Sequence, residues 1–153
     1  MSGLLIRAAQ AADLEAIVGL HEEDALGGHG DRWTAETRPA YEAAFTAIAA
    51  SQENTLYVAE EAGRVVGTFQ LTFIPNITGR GALRVKVESV KVADALRSRG
   101  IGARIMAFAE EEARRRGARL LELTSNKVRQ AAHRFYERIG FANTHEGFKK
   151  KLV

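Results

Sequence analysis

The residues with the strongest chemical signal are Arg97-Ser98-Arg99-Gly100-Ile101-Gly102. Two glycines one residue apart, at the start of an amphipathic run, let several backbone N–H groups point at one spot. A helix that begins there adds the positive end of its dipole, and a turn of this kind takes phosphate or pyrophosphate. Arg97, Arg99 and Arg104 add cationic charge, and no Asp or Glu stands between positions 95 and 109. Hydrogen bonds to a charged group contribute about 1.5–3 kcal/mol each, so three or four anchor a diphosphate. The same pattern also serves as a plain connection from strand to helix. Other nucleotide motifs fail: GxGxxG needs glycine where Ile105 stands, and no segment reads GxxxxGK followed by Ser or Thr. Ser89, Ser98 and Ser125 lack the GxSxG context of a serine nucleophile. His29 and Asp31 sit in a glycine-rich loop without the spacing of a metal site, and no metal is expected.

The turn needs a strand before it and a helix after it, and the pattern supplies both. Residues 83–92 are valine-rich and read as a strand, and 102–116 read as a helix with Ile101, Ile105, Phe108, Ala109 and Ala113 on one stripe. On its outer face Glu110 with Arg114, Glu111 with Arg115 and Glu112 with Arg116 are i,i+4 pairs in the favourable order, and Gly117 stops it. Upstream, 4–8 reads as a strand, and Asp13 is the N-cap of a helix carrying Leu14, Ile17, Val18 and His21. That helix ends at Glu22-Glu23-Asp24, and Gly27-Gly28-His29-Gly30 is irregular. A second helix spans 39–51, and strands 55–61 and 64–74 form a hairpin through Ala62-Gly63. Pro75 and Gly79-Arg80-Gly81 mark a further turn. Beyond the central helix come a strand at 119–124, a helix at 129–139 and a terminal strand or hairpin after Phe141. This is a single α+β domain over 1–153, with a mixed sheet and no repeat or linker.

Composition narrows the classes. A chain of 153 residues buries about 68–70% of its unfolded surface and needs no covalent staple. The absence of cysteine excludes disulfides, thiolate metal sites and a cysteine nucleophile, and fits a reducing compartment. No run approaches the roughly 18 apolar residues of a membrane span, and the N-terminus is charged too early for a signal peptide. The net charge of +3 conceals a split. Residues 1–63 carry three basic and eleven acidic side chains, whereas 64–153 carry nineteen basic and eight acidic. Such asymmetry suits two partners of opposite charge, one site with an acidic and a basic end, or two solvated faces. Nucleic acid is not an expected partner, because the basic residues are interspersed with Glu110, Glu111, Glu112, Glu122 and Glu137 rather than gathered on a stripe.

Taken together, these residues resemble the GNAT superfamily of N-acetyltransferases, in its small single-domain bacterial form. The family's phosphate-binding pattern, Arg or Gln followed by xxGxG or xxGxA, is matched by Arg97, Gly100 and Gly102. Its second signature, Ala-x-x-Phe-Tyr-x-x-x-Gly-Phe, is matched by Ala132, Phe135, Tyr136, Gly140 and Phe141. Both occur in the expected order, and the resemblance covers nearly the whole chain. It implies the acyl-CoA N-acyltransferase fold, a mixed, mostly antiparallel sheet with helices on both faces. It also implies a cytoplasmic enzyme that moves the acetyl group of acetyl-CoA directly to a primary amine, and it allows a homodimer.

Residue roles follow from the resemblance. The donor's pyrophosphate is expected on the N–H groups of Arg99, Gly100, Ile101, Gly102 and Ala103, and its pantetheine arm along the open strand edge at Val90 and Val92, with Lys91, Arg97 and Ser98 also counted among the cofactor-binding residues. The N–H near Val90 polarises the thioester carbonyl. Glu88 is the candidate base, against the alternative of a strand glutamate paired with Arg84 or Lys86. Tyr136 is the candidate acid for the leaving thiolate, and His133 and Asn126 are candidate CoA contacts. Arg129 stands where the family often has another asparagine. Relatives wall the acceptor side with the first two helices and their connection, here the acidic segment. A cationic acceptor drawn by Glu22, Glu23 and Asp24 is therefore expected. The alternative is an acyl-CoA-binding regulatory or interaction module with little or no catalysis.

Overall fold

The computed structural model describes residues 3–24, 26 and 28–153. By internal contacts the chain divides into two units, Met1–Leu123 and Thr124–Val153. The first is a five-stranded sheet in the order β1-β2-β3-β4-β5, formed by Leu4–Ala8, Asn54–Glu61, Arg64–Ile74, Arg84–Val92 and Leu120–Leu123. Its first three pairings are antiparallel and β4–β5 is parallel. The helices of this unit are α1 (Leu14–Glu22), α2 (Arg38–Ala50), the single turn α3 (Thr78–Gly81) and α4 (Ile101–Arg115). Short 3-10 turns at Ala11–Asp13 and Asp94–Leu96 precede α1 and α4. None of the described helices is long and apolar enough to cross a membrane.

Alternation along β3 sorts the two faces. Phe69, Leu71 and Phe73 lie buried on the face that α4 covers, where Tyr57 stacks on Phe69 at 4.9 Å between ring centres and Phe108 meets Tyr57 edge-on at 5.1 Å. Gly67 shares this face, and α4 sits close because of it. A Cβ there would lie 3.2 Å from Ile105 Cδ1 and 3.3 Å from the Lys91 carbonyl. The other face carries Thr68, Gln70 and Thr72, and its helix α1 buries Leu14, Ile17, Val18 and Leu20.

Three local expectations are corrected. Asp13 spends its carboxylate at the start of the 3-10 turn. It accepts the Gln10 N–H at 2.7 Å and a forked pair from Arg7 at 2.8 and 3.0 Å, so its side chain caps no N–H of α1. On α4 only Glu110–Arg114 forms as an i,i+4 pair, at 2.9 Å. Arg115 turns to Glu112 instead, and Arg116 lays its guanidinium 3.6 Å from the centre of the Phe73 ring, a contact available only past the end of the helix. The expected terminal strand does not form.

In the second unit α5 (Gln130–Arg138) is followed by Phe141–Val153 without regular structure, and Phe148, Leu152 and Val153 are exposed. A strand exists only with a pairing partner, and three consecutive lysines, Lys149 to Lys151, interrupt the apolar alternation that would bury one face. Within this unit the Tyr136 ring packs against Phe135 and, edge-on, against Phe141, at 5.3 and 5.9 Å between ring centres.

Candidate functional site

The strand that leads to the turn is irregular where the chemistry is expected. Pairing of β3 with β4 runs from Ile74–Arg84 to Gln70–Glu88, then resumes at Thr68–Lys91, so Ser89 and Val90 together stand opposite Phe69. This is a β-bulge, and Ser89 takes the left-handed conformation, φ 54°. On the other edge, β5 pairs with β4 only as far as Val87–Leu123. From Glu88 to Val92 the second edge of β4 has no strand partner among the described residues. That stretch holds Val90, Lys91 and Val92, with main-chain groups in position to receive an extended ligand.

The turn beyond it is set by backbone conformation. Ser98 (φ 64°) and Gly100 (φ 83°) are both left-handed and flank Arg99. Gly100 is the N-cap of α4, and the helical ladder opens with Arg104 N–H donating to the Gly100 carbonyl at 3.1 Å. The N–H groups of Ile101, Gly102 and Ala103 precede that bond and have no acceptor within the helix. With the turn ahead of them they form an anion-binding concavity.

The cations of this turn are tied. Arg97 Nη2 donates to Asp94 Oδ1 at 2.8 Å, and Arg99 lies 3.6 Å from Glu61. Asp94 Oδ1 also accepts Lys91 Nζ at 3.0 Å, and that lysine side chain is only 4% exposed. Asp94 is a site-adjacent residue that sequence reasoning missed. Its signal was its place, three residues after Lys91 and three before Arg97, just outside the carboxylate-free stretch.

Glu88 projects from β4 with its carboxylate 3.4 Å from Lys86 Nζ, half exposed. Its neighbours on that face are Gln70, Lys86 and Arg84, the last of which donates to Glu122 at 2.9 Å. Gln70 Nε2 and Thr72 Oγ1 both donate to Asn54 Oδ1, at 3.2 and 2.6 Å. The expected pairing with Lys86 is thus present, and it leaves Glu88 partly open to solvent.

The acidic trio is engaged rather than bare. Glu22 Oε1 lies 3.6 Å from Arg32, Asp24 Oδ1 accepts the Leu26 N–H at 3.3 Å, and Glu23 Oε2 accepts the backbone N–H of Asp94 at 3.0 Å. Ala25 and Gly27, the latter the first residue of the expected irregular loop, lie outside the described residues, and 28–34 have no regular structure. The rest of this segment is ordered by polar contacts that sequence reading missed. Tyr41 donates its hydroxyl to Asp31 at 2.8 Å and accepts the Arg32 N–H, while Trp33 stacks near Tyr41 at 6.0 Å between ring centres. Burial first, and then the bond to Asp31, raise the Tyr41 phenol above its ordinary value. The chain's single tryptophan, placed in a loop, was the available signal.

In the second unit, His133 and Asn126 come together. The His133 Nε2 atom lies 2.9 Å from the Asn126 carbonyl, and Asn126 Oδ1 accepts the Val128 N–H at 3.0 Å. Tyr136 is half-buried. Burial raises its phenol above the usual value of 10, opposed by the charge of Arg129, so the hydroxyl stays protonated at neutral pH.

Comparison with known proteins adds three findings. A family model described as the acetyltransferase (GNAT) family matches residues 14–141, across both units. Over 67 residues the chain is 43% identical to an aminoalkylphosphonate N-acetyltransferase of Salmonella typhimurium, and the match spans 44% of each chain, less than half the curated relative's length. Among solved structures, a transcriptional regulator from Bacillus halodurans is 38% identical, with a TM-score of 0.93 over 97% of this chain and 99% of that one. A putative acetyltransferase from Agrobacterium tumefaciens is 29% identical, with a TM-score of 0.82 over 96% and 99%.

Proposed function

The chain belongs to the GNAT family of acetyltransferases, and from that premise we propose that it transfers the acetyl group of acetyl-CoA directly to a primary amine. The observation that carries this reading is the continuous unit of bulged β4, turn and α4. An unpaired strand edge from Glu88 to Val92 runs into left-handed Ser98 and Gly100 at a helix start. An extended arm ending in a diphosphate fits that shape. In this reading the N–H groups from Arg99 to Ala103 hold the pyrophosphate, with Arg97 and Ser98 beside them. Val90, Lys91 and Val92 hold the pantetheine through the main chain, and His133 and Asn126 contact the CoA chain. The matched family segment runs through residues of both units.

The chemistry balances without a covalent enzyme intermediate. A free alkylamine has a pKa near 10, so at neutral pH its proton must leave first, and Glu88 accepts it directly or through a water. The amine nitrogen then bonds to the thioester carbon, the Val90 N–H stabilises the oxyanion, and the C–S bond breaks as Tyr136 gives its proton to the thiolate; the nitrogen, cationic after attack, loses its extra proton on becoming the amide, and that proton restores the phenol. The raised phenol suits an acid that must hold its proton until the thiolate departs.

For the acceptor, the acidic segment with Glu22, Glu23 and Asp24 favours a cationic amine. A second acceptor class rests on Lys86 and Arg84 beside Glu88, which suit an amine that also carries an anionic group, as the Salmonella relative's name describes for its own substrate. A second functional reading, an acyl-CoA-binding regulatory module, is favoured by the likeness to the Bacillus halodurans protein, which is named a transcriptional regulator. One experiment separates them: release of free CoA thiol from acetyl-CoA, measured against polyamines, lysine-like amines and aminoalkylphosphonates. Catalysis predicts amine-stimulated release that falls about 10²-fold in Tyr136→Phe. Tight acetyl-CoA binding with no stimulated release by any amine supports the module instead.

A further inference from the structure

We propose that Glu23 is a positioning residue for the donor turn rather than part of the acceptor wall. The inference rests on the donor reading above and moves one residue to it from the acceptor segment. Glu23 follows the last residue of α1, and its Oε2 accepts the backbone N–H of Asp94 at 3.0 Å, a contact between residues 71 positions apart. Asp94 opens the 3-10 turn Asp94–Leu96 that joins β4 to the glycine turn. That N–H is the first of the short helix and has no acceptor within it, so Glu23 supplies from a distant element what a local cap supplies elsewhere.

What hangs on this bond is the charge geometry of the turn. The carboxylate of Asp94 holds two cations on one oxygen: Lys91 Nζ at 3.0 Å from the strand side and Arg97 Nη2 at 2.8 Å from the turn side. Lys91 is buried, and a buried ammonium needs its counter-ion in place. Asp94 therefore cannot drift without exposing Lys91 or releasing Arg97, and Glu23 fixes the main chain of Asp94. A carboxylate oxygen already occupied by a backbone donor is also a weaker attractor for a substrate cation; of the three acids, Glu22 alone is exposed and accepts no backbone N–H, since the half-buried Asp24 accepts that of Leu26. The contribution of Glu23 is to hold the approach of the donor turn, so that Arg97 and the N–H groups after it keep their aim.

The test compares Glu23→Ala, which removes the acceptor oxygen, with Glu23→Gln, which keeps an oxygen and removes the charge. Glu23 is exposed, so both variants retain the core. Acetyl-CoA affinity is measured by titration calorimetry, and exchange of the Asp94 amide by NMR. The expected result is donor binding about tenfold weaker in Glu23→Ala, the loss of one charge-assisted hydrogen bond. Most of it is regained in Glu23→Gln, and Asp94 amide protection falls in the alanine variant alone. Donor affinity unchanged in both variants, with the KM for a cationic amine raised in both, overturns the proposal and returns Glu23 to the acceptor wall. If wild type fails to bind acetyl-CoA, the donor reading itself falls. The Asp94 amide still decides the local question, because protection equal in wild type and Glu23→Ala overturns the positioning role whatever the ligand.

Discussion

The donor turn, residues 88–104, and the acidic segment after α1, residues 22–37, are built by different means. In the first, the distinguishing features belong to the main chain: a bulge at Ser89, an edge beyond Val87 without a strand partner among the described residues, left-handed Ser98 and Gly100, and the opening N–H groups of α4. In the second, side chains reaching partners supply most of the contacts among the described residues: Glu22 to Arg32, Asp24 to Leu26 N–H, Tyr41 to Asp31, and Thr37 Oγ1 donating to the Arg32 carbonyl at 2.6 Å. Main-chain recognition suits a ligand whose diphosphate and extended arm never change. Side-chain recognition can be re-specified by substitution without rebuilding the fold. The contrast therefore predicts that damage to the first region falls on donor binding and chemistry, and damage to the second on acceptor choice.

The largest test of that division is Glu88→Gln, at the start of the first region. As base, Glu88 accounts for about 10²-fold in kcat near neutral pH. The deficit should shrink as pH rises toward the amine's own pKa near 10, where no base is needed. A pH–rate series on wild type and variant measures it, and a change under twofold at all pH values makes Glu88 only the partner of Lys86.

Next in size is Gly100→Val. Its φ of 83° is open to glycine and costs a β-branched residue about 1–2 kcal/mol, so the turn opens or the helix start frays. We expect acetyl-CoA to bind about tenfold more weakly while the KM for the amine stays near wild type. Equal damage to both constants would break the separation of the two regions. Smaller still is Glu22→Gln combined with Asp24→Asn. Exposed charge pairs are worth about 0.2–1 kcal/mol each, so the two together, at about 1 kcal/mol, raise the KM for a cationic amine about fivefold, an effect that vanishes at high salt. A fall in KM for an amine carrying a phosphonate would instead transfer acceptor choice to Lys86 and Arg84.

The same contrast explains what the sequence discloses. The turn was legible because its devices are sequence signals: glycines at a helix start, a valine-rich strand before, an apolar stripe after. The bulge was not, because Ser89 is not glycine and its left-handed state follows from pairing with β3. A terminal strand or hairpin was expected after Phe141, but pairing is a property of a partner and not of the segment. The pairs on α4 were expected from spacing alone, and Arg116 went to the Phe73 ring because the sheet brings that ring to it. Similarly, Glu23 looked like one of three neighbouring acids until the fold set it against an N–H 71 residues away.

The smallest predicted effect belongs to His21, where the electrostatics of the two regions meet. Burial lowers the imidazole below its ordinary value of 6.5, while Asp31 and Asp24 pull it up and Lys91 and His29 push it down. The folded protein therefore resists a proton that the unfolded chain accepts. Stability is complete above the unfolded value of 6.5 and declines as pH falls from there toward the lower folded value, then levels once both states are protonated. His21→Gln removes this slope and leaves the carboxylate titrations in place. Denaturant midpoints taken between about pH 7.5 and 5.5 should thus converge, with wild type losing more stability than the variant over that interval. A wild-type slope equal to the variant's would mean that the acids of the loop offset burial in full, and a reversed slope would mean that they outweigh it. Either result would extend the field of the acidic segment as far as Lys91 and weaken the case for two independent regions.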